Sequence, residues 1–236
     1  MPTEFRPPDA FASPRFAQLA TFMRLPHTRD SRGLDVALSL PILRTVARRV
    51  GPVGLVHVDA HQDMWDQYFG HRYFHGTPFR RALEEGVLDG RRAVQIGIRG
   101  PVYDRTDFDF GRAHGVRVVR AEEVGRHGIE WVLAHLLPAL GDGPVYLSFD
   151  IDGINPAFAP GTGTPEVGGL TSLQAQEVIR ALCGVRLVAA DLVEVSPPYD
   201  HANLTSLLAA NLLFEMVAVV AATRAGSGAM AAPPRS

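Results

Sequence analysis

VGLVHVDAHQDMWD (53–66) is the stretch that decides the fold. Its first six residues are apolar except for His57 and show no alternation of apolar and polar side chains. A strand with this pattern is buried on both faces, as in a parallel sheet covered by helices on each side. The run ends in Asp59, His61 and Asp63, spaced i, i+2, i+4. On an extended segment these three side chains point the same way.

The same pattern recurs along the chain. Strands are expected at 53–60, 93–100, 116–121, 144–152 and 185–195, with helical stretches at 40–50, 75–86, 105–114, 128–140 and 171–183 and a long helix at 202–223. Strands alternating with helices give a three-layer α-β-α domain with a mostly parallel sheet, and such sheets carry their sites at the carboxyl ends of the strands. PVYLSFDID (144–152) delivers Asp150 and Asp152 to that edge, and VRLVAADLVEV (185–195) delivers Asp191 and then Glu194.

Asp59, Asp63, Asp150 and Asp152 with His61 are candidate metal ligands. Four carboxylates gathered at one edge repel each other unless a cation sits among them. An oxygen-rich set with one imidazole suits Mn²⁺ better than the thiolate and imidazole sites of zinc. Two such ions about 3.5–4 Å apart can share and activate one water. His57 points to the same side as Asp59 but lies earlier in the strand, so it reads as a packed histidine rather than a ligand.

Composition narrows the alternatives. The chain has 236 residues, 46% hydrophobic and 20% charged, with a net charge of −2. That length supports one domain with a sizeable core, and that charge does not favour nucleic acid as a partner. The single cysteine, Cys183, excludes an intrachain disulfide and fits a reducing, cytoplasmic setting. MPTEFRPPDAF lacks the apolar core of a secretory signal. Residues 204–223 are apolar and of spanning length, but Asn211 and Glu215 interrupt them, so a helix packed on the sheet is expected rather than a membrane span. Residues 1–32 read as an irregular arm with a short helix near Phe16–Met23, residues 33–224 as the α/β domain, and residues 225–236 as a disordered tail.

Three blocks, VDAHQDMWD (58–66), SFDIDGINPAFAPGTGTPE (148–166) and DLVEVSPPYD (191–200), resemble the signatures of the arginase/agmatinase/formiminoglutamase family of ureohydrolases. FHGTPFRRA (74–82) and QIGIRG (95–100) are closer to the agmatinase branch. The resemblance implies an arginase-like fold holding two Mn²⁺ ions, with Asp59 and Asp150 bridging, His61 and Asp152 on one ion and Asp63 on the other. It implies that Glu194 holds a substrate guanidinium, that His75 shuttles a proton to the leaving amine, and that Pro156–Pro165 borders the site. The implied reaction is hydrolysis of a small cationic guanidino compound to urea and an amine: agmatine to putrescine, or, alternatively, guanidinobutyrate, guanidinopropionate or arginine. Trimers or hexamers are implied by the same resemblance. Trp65 and Met64 are candidates to line the pocket, with packing the alternative for each.

The chain departs from the family at two places. The family's GGDHS block, whose His binds the same ion as Asp63, has no counterpart here. In one register GLDVALSLPILR (33–44) ends like the helix after that block, and Val36 falls where the His belongs. In a second register, which fits better, Gly33–Leu38 resembles the family's first strand and Ser39 opens the later helix. A segment carrying one or more early strands is then missing at Leu38/Ser39. His27, His57 and His71 are candidates to replace the lost ligand, and an impaired homologue is the alternative to a working enzyme. Asn155 stands where the family usually has Asp.

Overall fold

The computed structural model describes residues 35–67, 70–102 and 104–230. The expected arm and the helix near Phe16–Met23 lie outside these residues. Five strands form one sheet: β1 (Val53–Val58), β2 (Leu88–Ile98), β3 (Arg117–Arg120), β4 (Val145–Asp150) and β5 (Leu187–Val193). Their order is β3-β2-β1-β4-β5 and every pairing is parallel. The helices are α1 (Ser39–Val50), α2 (Pro78–Glu84), α3 (Asp109–Ala113), α4 (Ala121–His127), α5 (Ile129–Leu140), α6 (Ser172–Arg180) and α7 (Leu204–Met230). This is the expected three-layer arrangement.

The two faces of the sheet differ. Val56, Val58, Val94, Ile96, Leu147 and Phe149 pack with α5, α6 and α7 in an apolar cluster. Val53, Leu55, Ala93, Tyr146 and Val193 on the other face pack with α1 and α2. That second face also carries a row of four polar side chains. Gln95 pairs in register with His57, His57 with Ser148, and Ser148 with Asp191. All four are buried. A buried polar group needs a partner, and α1 supplies one. Ser39 Oγ donates to Asp191 at 2.6 Å, Ser148 Oγ donates to it at 2.8 Å, and the Tyr146 hydroxyl donates to it as well. Asp191 therefore lies inside β5 and anchors α1, rather than standing at the strand end with the other acids.

Several boundaries differ from expectation for identifiable reasons. Gly33–Leu38 was expected as a strand, but Val36–Leu38 is a 3-10 turn leading directly into α1. Asp35 accepts from Ala37 N, and Val36 N donates to Glu194 Oε1 at 2.9 Å, so these amides serve side chains and not a ladder. The helical stretch 128–140 begins only after Gly128, whose φ of 82° ends α4. α7 continues to Met230, through residues expected as tail. It packs on the domain through Ala209, Leu212, Met216 and Val219, and Glu215 is paired with Arg180 of α6 at 2.5 Å. The 201–225 segment is nonetheless long and apolar enough to cross a membrane by composition.

Candidate metal centre

The carboxyl ends of β1 and β4 meet above the polar row. Two groups of three donors form there, His57 with Asp59 and Asp63, and Asp59 with His61 and Asp152, the donor atoms of each lying within 4.8 Å of one another. Asp59 belongs to both groups, which is the position a bridging carboxylate must take. Asp150 belongs to neither. It is buried and accepts from Asp152 N at 2.9 Å.

The group around Asp152 is closely held. His61 Nδ1 lies 3.2 Å from Asp152 Oδ2 and 3.3 Å from Asp59 Oδ1. Ala60 N donates to Asp152 Oδ1 at 3.0 Å, and Thr164 Oγ1 to Asp152 Oδ2 at 3.0 Å. Thr164 brings the Pro156–Pro165 loop to the border of the site, as expected. Gly100 has to be small, because a Cβ there would lie 2.4 Å from the His61 ring. Glu166, the last residue of the 148–166 block, reaches to 3.7 Å from His61 Nε2.

His57 enters the other group from below. Gln95 Nε2 donates to Gln62 O at 2.7 Å, which fixes the orientation of its amide. The same nitrogen lies 2.9 Å from His57 Nδ1 and so presents its second hydrogen there. The proton of a neutral His57 is then left on Nε2, 2.8 Å from Asp59 Oδ2. Both atoms are buried and face each other at that distance. His57 is thus packed, as expected, against Phe79, with ring centroids 4.3 Å apart, and it also faces the donor group. Of the other candidate replacement ligands, His71 is exposed and in neither group, and His27 lies outside the described residues.

The electrostatics follow from burial. Asp63 and Asp150 are pushed well above the carboxylate range, chiefly by desolvation and then by Asp59 for Asp63 and Asp152 for Asp150. Asp152 is raised for the same first reason. Burial opposes the charge of Asp59 too, but His57 and His61 outweigh it and hold Asp59 low. Burial opposes a charged His61, yet Asp152 and Asp59 push its pKa up to about 12. Carboxylates this crowded and this dry draw in positive charge, and the donor set fits a divalent cation.

Glu194 follows β5 with φ 63°, and Asp63 has φ 52°. Non-glycine residues in this region store strain, which clusters at functional sites. Glu194 is pushed up to about 8, by burial first and then by Asp35, Asp152 and Asp59. His75 lies at the rim, 3.8 Å from Asp35 Oδ2 and against the Phe74 ring. Met64 is buried and acts in packing, whereas Trp65 packs over Gly76 and also lines a small cavity with His61 and Asp63. Asn155 caps its own turn by accepting from Ala157 N.

The Arginase family model matches residues 33–218. The chain belongs to the arginase family. It is 56% identical over 188 residues to guanidinobutyrase of Pseudomonas aeruginosa, covering 80% of this chain and 59% of that protein. It is 53% identical to the mitochondrial agmatinase of Gallus gallus, covering 80% of this chain and 55% of that protein. The solved proclavaminate amidino hydrolase of Streptomyces clavuligerus superposes with a TM-score of 0.76 at 44% identity, covering 80% of this chain and 63% of that one. This arginase-family chain therefore spans less than two thirds of the length of these relatives. The family depends on a binuclear metal centre, and the two donor groups sharing Asp59 are where this chain would hold one.

Gln95 is a site residue that the sequence expectations lack, although a Gln inside an otherwise apolar buried strand asks for a partner.

Proposed function

We propose that this chain is a divalent-metal-dependent hydrolase of guanidino compounds, releasing urea and an amine, with agmatine as the substrate and putrescine as the product. The observation that carries the reading is Asp59, shared by two groups of donors within 4.8 Å. Asp59, His61, Asp63, Asp150 and Asp152 would hold the ions, and their oxygen-rich chemistry favours Mn²⁺. When bound, such a pair lowers the pKa of a shared water and stabilises developing negative charge.

The remaining tasks fall to side chains. Glu194 binds the guanidinium, since a carboxylate and a planar guanidinium pair through two parallel hydrogen bonds. With its pKa raised to about 8 by burial, Glu194 favours a cationic partner that keeps it ionised. We assign to the His75 imidazole the transfer of a proton to the leaving amine. Pro156–Pro165 limits water at the site. By likeness alone we also propose a cytoplasmic homo-oligomer, a trimer or hexamer.

Two observations support other readings. The 56% identity to a guanidinobutyrase supports a carboxylate-ended guanidino substrate. The lack of a counterpart to the family's GGDHS block in the sequence supports an impaired homologue with one weak metal site. Urea release by Mn²⁺-loaded protein from agmatine, 4-guanidinobutyrate, 3-guanidinopropionate and arginine separates them. Release on agmatine that is abolished in Asp150→Asn is expected. Release on a guanidino acid alone replaces the substrate, and no release on any of the four from folded protein sinks the hydrolase reading.

A further inference from the structure

Arg99 ends β2 next to the metal centre and makes no ion pair among the described residues. Its guanidinium is spent on backbone carbonyls. Nε donates to Val167 O at 3.0 Å, and Nη1 to Gly97 O at 3.1 Å and Gly153 O at 3.3 Å. Nη2 donates to Asp152 O at 2.7 Å, to Glu166 O at 2.9 Å and to Ile154 O at 3.3 Å. The backbone of the same residue is also committed. Arg99 N and Gly100 N both donate to Ala60 O at 2.8 Å. One residue thus ties together three segments distant in sequence: the turn bearing Asp59 and His61, the turn bearing Asp152, and the loop bearing Glu166.

The surroundings are shaped to admit this side chain. A Cβ on Gly169 would lie 2.6 Å from Arg99 Nη2 and 2.8 Å from Gly153 O, and Gly169 has φ 94°. Only a glycine fits between the guanidinium and the strand-end turn. A guanidinium offers five N–H donors in a rigid fork. Here both edges of the fork and Nε are used, so no simpler cation can reproduce the set. Six carbonyls pointed at one position would also repel each other without a fixed charge among them.

We propose that Arg99 is a positioning residue of the metal centre, holding Asp152 and Glu166 in place about His61 through the carbonyls of their own segments. This rests on the metal-dependent reading above. Groups that orient metal ligands from behind typically change metal affinity 10–100-fold when removed.

Arg92 provides an internal control. It too clamps carbonyls, donating from Nε to Leu140 O at 2.6 Å and from Nη2 to Pro144 O at 3.1 Å, but at the opposite end of the sheet. Arg99→Met, Arg99→Lys and Arg92→Met are compared with the parent chain by hydrogen exchange in metal-free protein and by Mn²⁺ titration calorimetry. In Arg99→Met, exchange is expected to rise within residues 151–169 and Mn²⁺ affinity to fall about 10–100-fold. Arg99→Lys, which keeps the charge with three donors, is expected to fall between. Arg92→Met is expected to leave Mn²⁺ affinity unchanged. The proposal is overturned if exchange at 151–169 is unchanged, if it rises equally across the sheet, or if Arg92→Met weakens Mn²⁺ as much as Arg99→Met. Failure of the underlying metal reading is read separately, from the parent chain alone, as no Mn²⁺ uptake.

Discussion

The two donor groups share Asp59 but are built unequally. Around His61 and Asp152, each ligand has a second partner: Ala60 N and Thr164 Oγ1 for Asp152, and Asp59 and Asp152 for His61. In the group with Asp63, the structure offers His57, whose Nε2 lies 2.8 Å from Asp59 Oδ2. One half is ready for an ion. The other is not gripped by Ala60 N and Thr164 Oγ1. The difference lies mainly in which neighbours are supplied, because the carboxylates are buried in both halves.

The largest expected effect breaks the centre at the residue the halves share. Asp59→Asn removes a charged donor from both groups, and metal content measured by mass spectrometry should fall to near zero, with urea release lost by at least about 10³-fold. Asp63→Asn, in contrast, should remove only the weaker ion and leave close to one per chain. If Asp63→Asn emptied both halves and Asp59→Asn only one, the assignment of Asp59 as the shared ligand would be wrong.

A smaller effect sharpens the comparison from the other side. Val36→His places an imidazole at the edge of the weaker half. Val36 is packed with Met64 and Phe79, so the larger polar side chain should cost the metal-free protein about 1–3 kcal/mol. Mn²⁺ should then recover more than that cost, raising uptake toward two ions per chain. The metal-free melting temperature falls and the loaded one rises, a crossing that simple damage to the core cannot produce. Equal loss in both states would show that Val36 does not face the donor group.

The halves also explain what could be read in advance. The strand ends were legible because buried parallel strands carry a strong apolar signal and Asp59, His61, Asp63, Asp150 and Asp152 interrupt it at their ends. Glu194 and His75 needed the resemblance, since a lone Glu or His has no pattern of its own. The row Gln95–His57–Ser148–Asp191 was invisible because it runs across strands, in register, and no sequence spacing encodes it. Arg99 was hidden for a related reason. Its partners are carbonyls, which every residue has, so its neighbours carry no mark. Val36–Leu38 forms a turn where the family resemblance implied a strand, because the amides of Val36 and Ala37 are claimed by Glu194 and Asp35.

The smallest expected effect is a pH dependence. Asp63, Asp150 and Asp152 have folded pKa values raised by burial, and Glu194 is raised from 4.5 to about 8. A carboxyl raised on folding contributes stability that is full below its unfolded pKa and is lost as pH climbs through the folded one. His61, raised from 6.5 to about 12, likewise stabilises most below 6.5 and loses that contribution as pH climbs toward 12. Asp59 is lowered from 3.8, so its contribution is already complete above that value and is lost only in stronger acid. Between pH 4.5 and 8, set by Glu194, the raised groups therefore act in one direction, and the metal-free chain should become less stable as pH rises. Metal binding runs the other way, because ligands must shed their protons to bind. The gap in melting temperature between Mn²⁺-loaded and metal-free protein should accordingly widen from pH 5.5 to 8, each kcal/mol appearing as about 2–4 °C in a domain of this size. Asp63→Asn removes one raised carboxyl from the weaker half and should flatten the metal-free decline without abolishing it. A gap that narrows with pH in the parent chain would mean that the buried carboxylates are not the groups the metal relieves.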